Sequence, residues 1–284
     1  MEEFKVLREL KGGSFSSTRV IEFPDAEKRV RKSISCSQDR EFGLVRWQSQ
    51  VRRMQHLNTI LPNNSPPVLS MGVTGASFYY DIPYYEAGEN LHEYLVEGGR
   101  NEAKAVFEQI FGLIDEYSNL HYGPVTGSFS VFLSEEVISR LRESNELLDT
   151  LVVDRKITPD EAGFVRGRLE SSLPVLEGLV LESLSWSISE SFTHGNLTLE
   201  NALYDHRTSS IILIDPYSET YCESILGDIS QLMQSSVSNY ESVVLQGDAG
   251  VEDFFKLRGG LQTTGVNYFG CMVKDYVSTL DVGE

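Results

Sequence analysis

His194-Gly195-Asn196-Leu197-Thr198-Leu199-Glu200-Asn201 is a polar loop, and the residues directly after it decide how the chain is read. Ala202-Leu203-Tyr204 and Ile211-Ile212-Leu213-Ile214 are short β-prone runs joined through Asp205 to Ser210, which predicts a hairpin next to the loop. Asp215 emerges from four apolar residues and precedes Pro216. A carboxylate there is unusual unless it has a partner. Together Asn201 and Asp215 can offer an amide oxygen and a carboxylate to one magnesium ion, a hard cation that takes oxygen ligands and completes its shell with phosphate and water. The plainer role for Asp215 is to cap a turn before Pro216.

Towards the N-terminus, Phe4 to about Ser35 alternates apolar and polar residues around Gly12-Gly13-Ser14 and Pro24-Asp25, the pattern of successive antiparallel strands. A helix is predicted over about Arg40 to Leu61, where Leu44, Trp47, Val51, Met54 and Leu57 recur at spacings of three and four. Pro62 and Asn63-Asn64 stop it. Val68 to Tyr85 adds two strands around Gly72 to Gly75, and Gly88-Glu89-Asn90 opens a helix containing Leu91 and Leu95. From about Asn101 to Glu190 the spacing is helical, interrupted by Gly123 to Gly127 and by the helix start Thr158-Pro159-Asp160-Glu161. Residues 139–154 read as a solvated amphipathic helix, and Trp47 and Trp186 read as core. The expected class is α+β, strands and one helix first and mostly helix afterwards.

At 284 residues and 40% hydrophobic composition the chain can fill a core. Its 24 Lys and Arg against 42 Asp and Glu leave a charge of −18, which argues against nucleic acid as a main partner, although a local basic groove is compatible with it. No run approaches the roughly 18 apolar residues of a membrane helix, and the opening Met-Glu-Glu lacks the order of a signal peptide, so a cytoplasmic protein is expected. Cys36, Cys222 and Cys271 have neither disulfide-framework nor zinc spacing and read as reduced thiols.

The loop and hairpin together resemble the HGDxxxxN…hhD pattern of aminoglycoside phosphotransferases and choline kinase-like enzymes, the small-molecule branch of the protein-kinase-like fold. Asn196 stands where that pattern has Asp. Gly227-Asp228-Ile229-Ser230-Gln231-Leu232 is similar to the family's later Gly-Asp segment, whose Asp supports the loop. Gly12-Gly13-Ser14-Phe15-Ser16-Ser17 falls in the first hairpin, where glycines and short hydroxyl residues let backbone N–H groups approach phosphates. Val30-Arg31-Lys32 resembles the third-strand Val-x-Lys, and Tyr84-Tyr85-Glu86-Ala87-Gly88 falls at the hinge.

The resemblance implies a bilobal fold, with residues 1–86 as a nucleotide-binding lobe, a hinge near 84–88 and residues 87–284 as a helical lobe. It implies ATP and Mg²⁺ as cofactors and a small hydroxyl-bearing acceptor such as a sugar or amino alcohol. Gly12, Gly13, Ser14, Ser16 and Lys32 would serve the phosphates, Tyr85, Glu86 and Ala87 the adenine, and Asn201 and Asp215 the metal. Asn196 would occupy the catalytic position, with His194 beside it in a structural or direct role. The acidic partner of Lys32 should precede a Leu-x-x-Leu-like pattern; aligning on Met54 and Leu57 puts Gln50 there, with Glu41 as an alternative one or two turns earlier. Asn196 cannot take a proton. That leaves an engineered Asp→Asn variant, a natural weak or altered kinase, or a nucleotide-binding pseudoenzyme with a regulatory or scaffold role. A protein-directed kinase is disfavoured, because His-Arg-Asp, Asp-Phe-Gly and Ala-Pro-Glu segments are missing.

Overall fold

Strands β1 (Lys5–Leu10), β2 (Ser16–Glu22), β3 (Lys28–Ser35), β4 (Ser70–Thr74) and β5 (Ser77–Pro83) form an antiparallel sheet in the order β1-β2-β3-β5-β4, with α1 (Arg40–Ile60) between β3 and β4. This is the computed structural model of the chain, and it describes residues 3–10, 16–35, 40–75, 77–217, 220–238, 240–241 and 264–280. Successive side chains of a strand point to opposite faces, so Arg31 and Lys32 are separated by the sheet. Lys32 is registered with Tyr80 and shares a face with Val30 and Ile34, turned towards α1, where Val51, Met54, Tyr80 and Ile82 pack together with Val30, Trp47 and Val68. Arg31 lies on the other face opposite Asp81.

That second face is closed by charge. Arg31 Nε and Nη2 donate to Asp81 Oδ1 and Oδ2 at 2.7 and 2.8 Å, and Ser70 Oγ donates to Asp81 Oδ2 at 2.6 Å. The rings of Tyr79 and Phe4 lie 4.0 and 4.5 Å from the guanidinium carbon. A planar guanidinium can be bidentate and stacked at once, which lets it cover a sheet.

The rest of the chain contains β6 (Gly88–Asn90), α2 (Leu91–Glu97), α3 (Arg100–Ser118), β7 (His121–Thr126) and α4 (Ser128–Phe132). A π-helical stretch, Leu133–Ile138, leads from α4 into α5 (Ser139–Val153), followed by α6 (Pro159–Glu182), β8 (Ser187–Ser191), β9 (Ala202–Asp205), β10 (Ser210–Leu213), α7 (Ile225–Ser236) and α8 (Gly265–Thr279). Helices α3, α7 and α8 bury Val106, Ile110, Ile114, Ile229, Leu232, Val266 and Phe269 around one core. Each such side chain contributes about 1.5–3 kcal/mol of burial. A Cβ at Gly265 would stand 2.7 Å from the Leu95 carbonyl, so a glycine lets α8 start against α2. Helix α1 belongs to both halves: Val51 and Met54 pack on the sheet, while Leu57, and Leu61 just past its end, enter the larger core. Asn64 extends the bridge, its carbonyl accepting from Leu213 N at 2.7 Å and its Nδ2 donating to Ile211 O at 2.8 Å.

The architecture is α+β, as the pattern of strands and helices predicts. Three local readings need correction. Gly123 to Gly127, read as a break between helical stretches, falls largely within β7, which pairs with β8 in a two-stranded ribbon. Pro124 is tolerated because the ribbon has only edges. Gly88–Asn90 pairs with β9 before Asn90 caps α2 by accepting from His92 N at 3.0 Å. Trp186 is 40% exposed and stacks on Phe129 at 5.8 Å, so it covers a neighbour outside the core. The Thr158/Glu161 helix start forms as a capping box, and in α5 only Leu148 is buried. Cys222 and Cys271 are free thiols, and Cys36 lies outside the described residues. No helix among the described residues is long and apolar enough to cross a membrane.

Removing one partner of a buried pair strands the other charge. Asp81→Ala should therefore lower the unfolding free energy by about 3–5 kcal/mol in urea titration, whereas Glu177→Gln, which breaks an exposed pair with Arg142, should cost less than about 1 kcal/mol. Equal losses would show that the Arg31–Asp81 pair does not hold the sheet face.

Candidate functional site

Helix α7 positions the loop. Its Asp228, Gln231 and Ser235 lie three and four residues apart, hence on one face, and all three accept from loop backbone. Asp228 Oδ2 and Oδ1 accept from His194 N and Gly195 N, both at 2.7 Å, and Oδ2 also accepts from the Tyr117 hydroxyl at 2.7 Å. Gln231 Oε1 accepts from Leu197 N while its Nε2 donates to Gly195 O at 3.2 Å, and Ser235 Oγ accepts from Leu199 N at 3.0 Å. Gly195 has φ +74°, a backbone region that favours glycine. Leu197 and Leu199 are fully buried and anchor the loop in the core.

A second support comes from α1. Arg53 Nε and Nη2 donate to Thr193 O and Thr193 Oγ1 at 3.0 and 2.7 Å, while Nη1 pairs with Glu223 at 2.8 Å. Within the loop, Asn201 Nδ2 donates to Asn196 O at 2.9 Å and to Thr198 Oγ1 at 3.0 Å. The loop is thereby bound to the end of the hairpin, where Ile214 N donates to Asn201 O at 2.9 Å, Tyr217 N to His194 O at 3.0 Å and Asn196 Nδ2 to Asp215 O at 3.1 Å.

Asp215 sits in the left-handed region at φ +57°, before a proline. Asp tolerates this conformation better than most residues, yet it costs on the order of 1–3 kcal/mol and persists only where the surroundings impose it. Its Oδ1 accepts from Lys32 Nζ, from Gln50 Nε2 at 3.3 Å and, at the outer limit of hydrogen bonding, from the Tyr80 hydroxyl at 3.5 Å. The Lys32 and Asp215 side chains are 12% and 27% exposed, so the pair sits at the edge of solvent. Burial first, and the Asp215 charge second, push the Tyr80 phenol well above its usual range and keep it a neutral donor.

Lys32, Asp215, Asn196 and Asn201 are thus brought together. Gln50 joins them through Asp215, with no bond to Lys32, and its buried Oε1 has no partner among the described residues. The Glu41 side chain and Gly12, Gly13 and Ser14 lie outside the described residues. Ser16 opens β2 opposite Ile34 and is half-buried. Tyr85, Glu86 and Ala87 connect β5 to β6. There Glu86 pairs with Lys28 at 2.7 Å, and the Tyr85 and Ala87 carbonyls accept from Gly88 N and His206 N at 3.1 and 3.0 Å. His194 has no exposed surface and lies behind the loop. Sequence reasoning missed Arg53, Tyr80, Tyr117, Gln231 and Ser235. Only the polar face of α7 carries a signal that could have found two of them.

The oxygen set suits magnesium. Asn201 commits its amide nitrogen to the loop, which leaves its amide oxygen as the available donor, and Asp215 supplies carboxylate oxygen. Among the described residues no three His, Cys, Asp or Glu side chains converge as metal ligands, so an ion held by Asn201 and Asp215 would need its remaining ligands from outside the protein. Comparison of the chain with protein-family models and with curated proteins finds no match.

Burial lowers the His194 pKa from 6.5 to about 4, and neither ring nitrogen has a partner in hydrogen-bond geometry among the described residues. The unfolded ring gains a proton near pH 6.5, whereas the folded ring resists until about pH 4. The stability that neutral His194 contributes is therefore present above pH 6.5 and is lost as pH falls towards 4, on the order of 3 kcal/mol in all. Urea titrations at several pH values in this window should show a flatter dependence for His194→Gln than for the parent chain. Asp228, which burial shifts upward, is common to both and cancels. Parallel pH profiles would show that His194 does not titrate with folding.

Proposed function

We propose that the chain is an ATP-dependent phosphotransferase of bilobal protein-kinase-like architecture, which phosphorylates a hydroxyl of a small molecule. The observation that carries this reading is the meeting of Lys32 Nζ and Asp215 Oδ1, groups 183 residues apart, beside a loop whose backbone is fixed by α7. An ammonium from the third strand and a carboxylate after a hairpin, with an amide oxygen nearby, form a set of opposite charges suited to a nucleotide triphosphate and its cation. In this reading Lys32 holds phosphate oxygens, and Asp215 and Asn201 hold Mg²⁺. When bound, the ion neutralises phosphate charge and fixes phosphate orientation.

Asn196 orients the acceptor hydroxyl by hydrogen bonding but takes no proton from it. Phosphoryl transfer depends chiefly on positioning and charge stabilisation, so the remaining groups support slow turnover. The adenine would lie against Tyr85, Glu86 and Ala87. The acid excess of the chain favours a cationic acceptor such as an amino sugar or amino alcohol.

One observation favours a second reading, a nucleotide-binding protein without turnover. Asn196 Nδ2 donates to the Asp215 carbonyl at 3.1 Å, a bond that an ionised carboxylate at 196 could not make. The Asn is fitted to its neighbour, and Gln50 replaces the second carboxylate.

Titration calorimetry should show Mg²⁺-dependent ATP binding, weakened about tenfold or more by Asp215→Ala and by Lys32→Met, since each removes a charge-assisted contact. No binding at millimolar ATP would sink the nucleotide-site assignment. Asn196→Asp supplies the missing base and should raise acceptor phosphorylation, or ATP hydrolysis in its place, by about 10²–10⁴-fold. ATP binding with no such rise would favour the protein without turnover.

A further inference from the structure

An open pocket of about 470 Å³, lined by neither Lys32 nor Asp215, lies between α1, β7 and the segment entering the loop. It falls within the range of about 300–1,000 Å³ that small-molecule sites occupy. Helix α1 contributes Arg52, Arg53 and His56 to one side, and Tyr122, Phe192 and Glu223 face them. Residues 52, 53 and 56 lie on one helical face, so three nitrogen-bearing side chains look into one space in a chain whose charge is −18.

Their roles differ. Arg53 is committed, 8% exposed and tied to Thr193 and Glu223. The His56 ring leans on Phe192 with centroids 4.6 Å apart. Arg52 is exposed and has no ion pair or hydrogen bond among the described residues. With Glu223 already neutralised by Arg53, Arg52 leaves the space a net cation beside the exposed Tyr122 and His56 rings.

We propose that this cavity is a second ligand site, which takes a small organic anion, a carboxylate or a phosphate monoester, carrying an apolar ring or chain. Arg52 holds the anionic group, and the exposed Tyr122 and His56 rings cover the apolar part, with Phe192 buried behind His56. Arg53 stands between the ligand and the loop, since the guanidinium that lines the cavity also fixes Thr193, the residue before His194. Helix α1 also carries Gln50 to Asp215. Occupancy is thereby linked to the loop, and its effect on turnover rests on the function proposed above.

The test is calorimetric titration of phenyl phosphate and of phenylacetate, at constant ionic strength, into the parent chain, Arg52→Ala and Lys32→Met. The expected result is binding to the parent, weakening of about tenfold or more in Arg52→Ala, and unchanged affinity in Lys32→Met. Arg52→Ala should keep the parent melting temperature, because the side chain it removes is exposed and unpaired. Response to both probes makes any small anion with a ring acceptable, whereas response to phenyl phosphate alone makes phosphate the recognised group. The proposal is overturned by no binding to the parent at about 10 mM, by equal affinity in all three proteins, or by loss in Lys32→Met with retention in Arg52→Ala. That last pattern would put the anion beside Lys32. Phenyl phosphate binding in a chain that fails to bind ATP would overturn the phosphotransferase reading and leave this site standing.

Discussion

The carboxylate of Asp228 has no exposed surface, and the course of the polar loop depends on how its charge is accommodated. Burial shifts its pKa upward, and donation from Tyr117, His194 and Gly195 opposes that shift. A buried carboxylate without such donors costs several kcal/mol, so the bonds are required as soon as α7 packs. Ile229 and Leu232, on the same helix, set that packing. The loop backbone is thereby tied to a helix whose position is decided in the core, and Asn196 and Asn201 inherit a fixed orientation. Thr193, gripped by Arg53, closes the arrangement on the side of α1.

Lys32 reaches the same place by a different route. It stands on an apolar sheet face, where an ammonium needs a counter-charge, and Asp215 supplies one from the far end of the chain. Whether the two meet depends on α1, which carries Val51 and Met54 into one cluster and Leu57 into another. A helix that is part of two cores cannot shift against one without disturbing the other. It also carries Arg46, Arg52 and Arg53 in a chain with a large excess of acid. Arg46 lies 4.9 Å from the Tyr217 ring, just past Asp215.

Much of this was legible in the sequence. The alternation of Phe4 to Ser35, the three-and-four spacing of α1 and the 202–214 hairpin are local periodicities, and local periodicity reports the face an element will bury. The convergence of Lys32, Asn196, Asn201 and Asp215 could be anticipated only as a pattern, since no spacing in the chain brings residue 32 near residue 215. The ribbon of β7 and β8 escaped, because Tyr122, Pro124 and Val125 form too short a run to compete with the helical stretches around it. The same holds for Gly88–Asn90, which acquires its strand character only from β9.

The sequence by itself determined the α+β order of elements, the identity of the polar loop and the residue types offered to a ligand, because these depend on neighbours along the chain. Tertiary structure alone decided that Gln50 turns to Asp215, that His194 is sealed behind the loop and that Arg53, Gln231 and Ser235 hold the loop in place. It also decided that Arg52, one residue from Arg53, faces a cavity without a partner among the described residues. The physical reason is that a buried polar group takes its role from whichever partner satisfies it, and for these residues that partner, or its lack, arises only when distant elements pack.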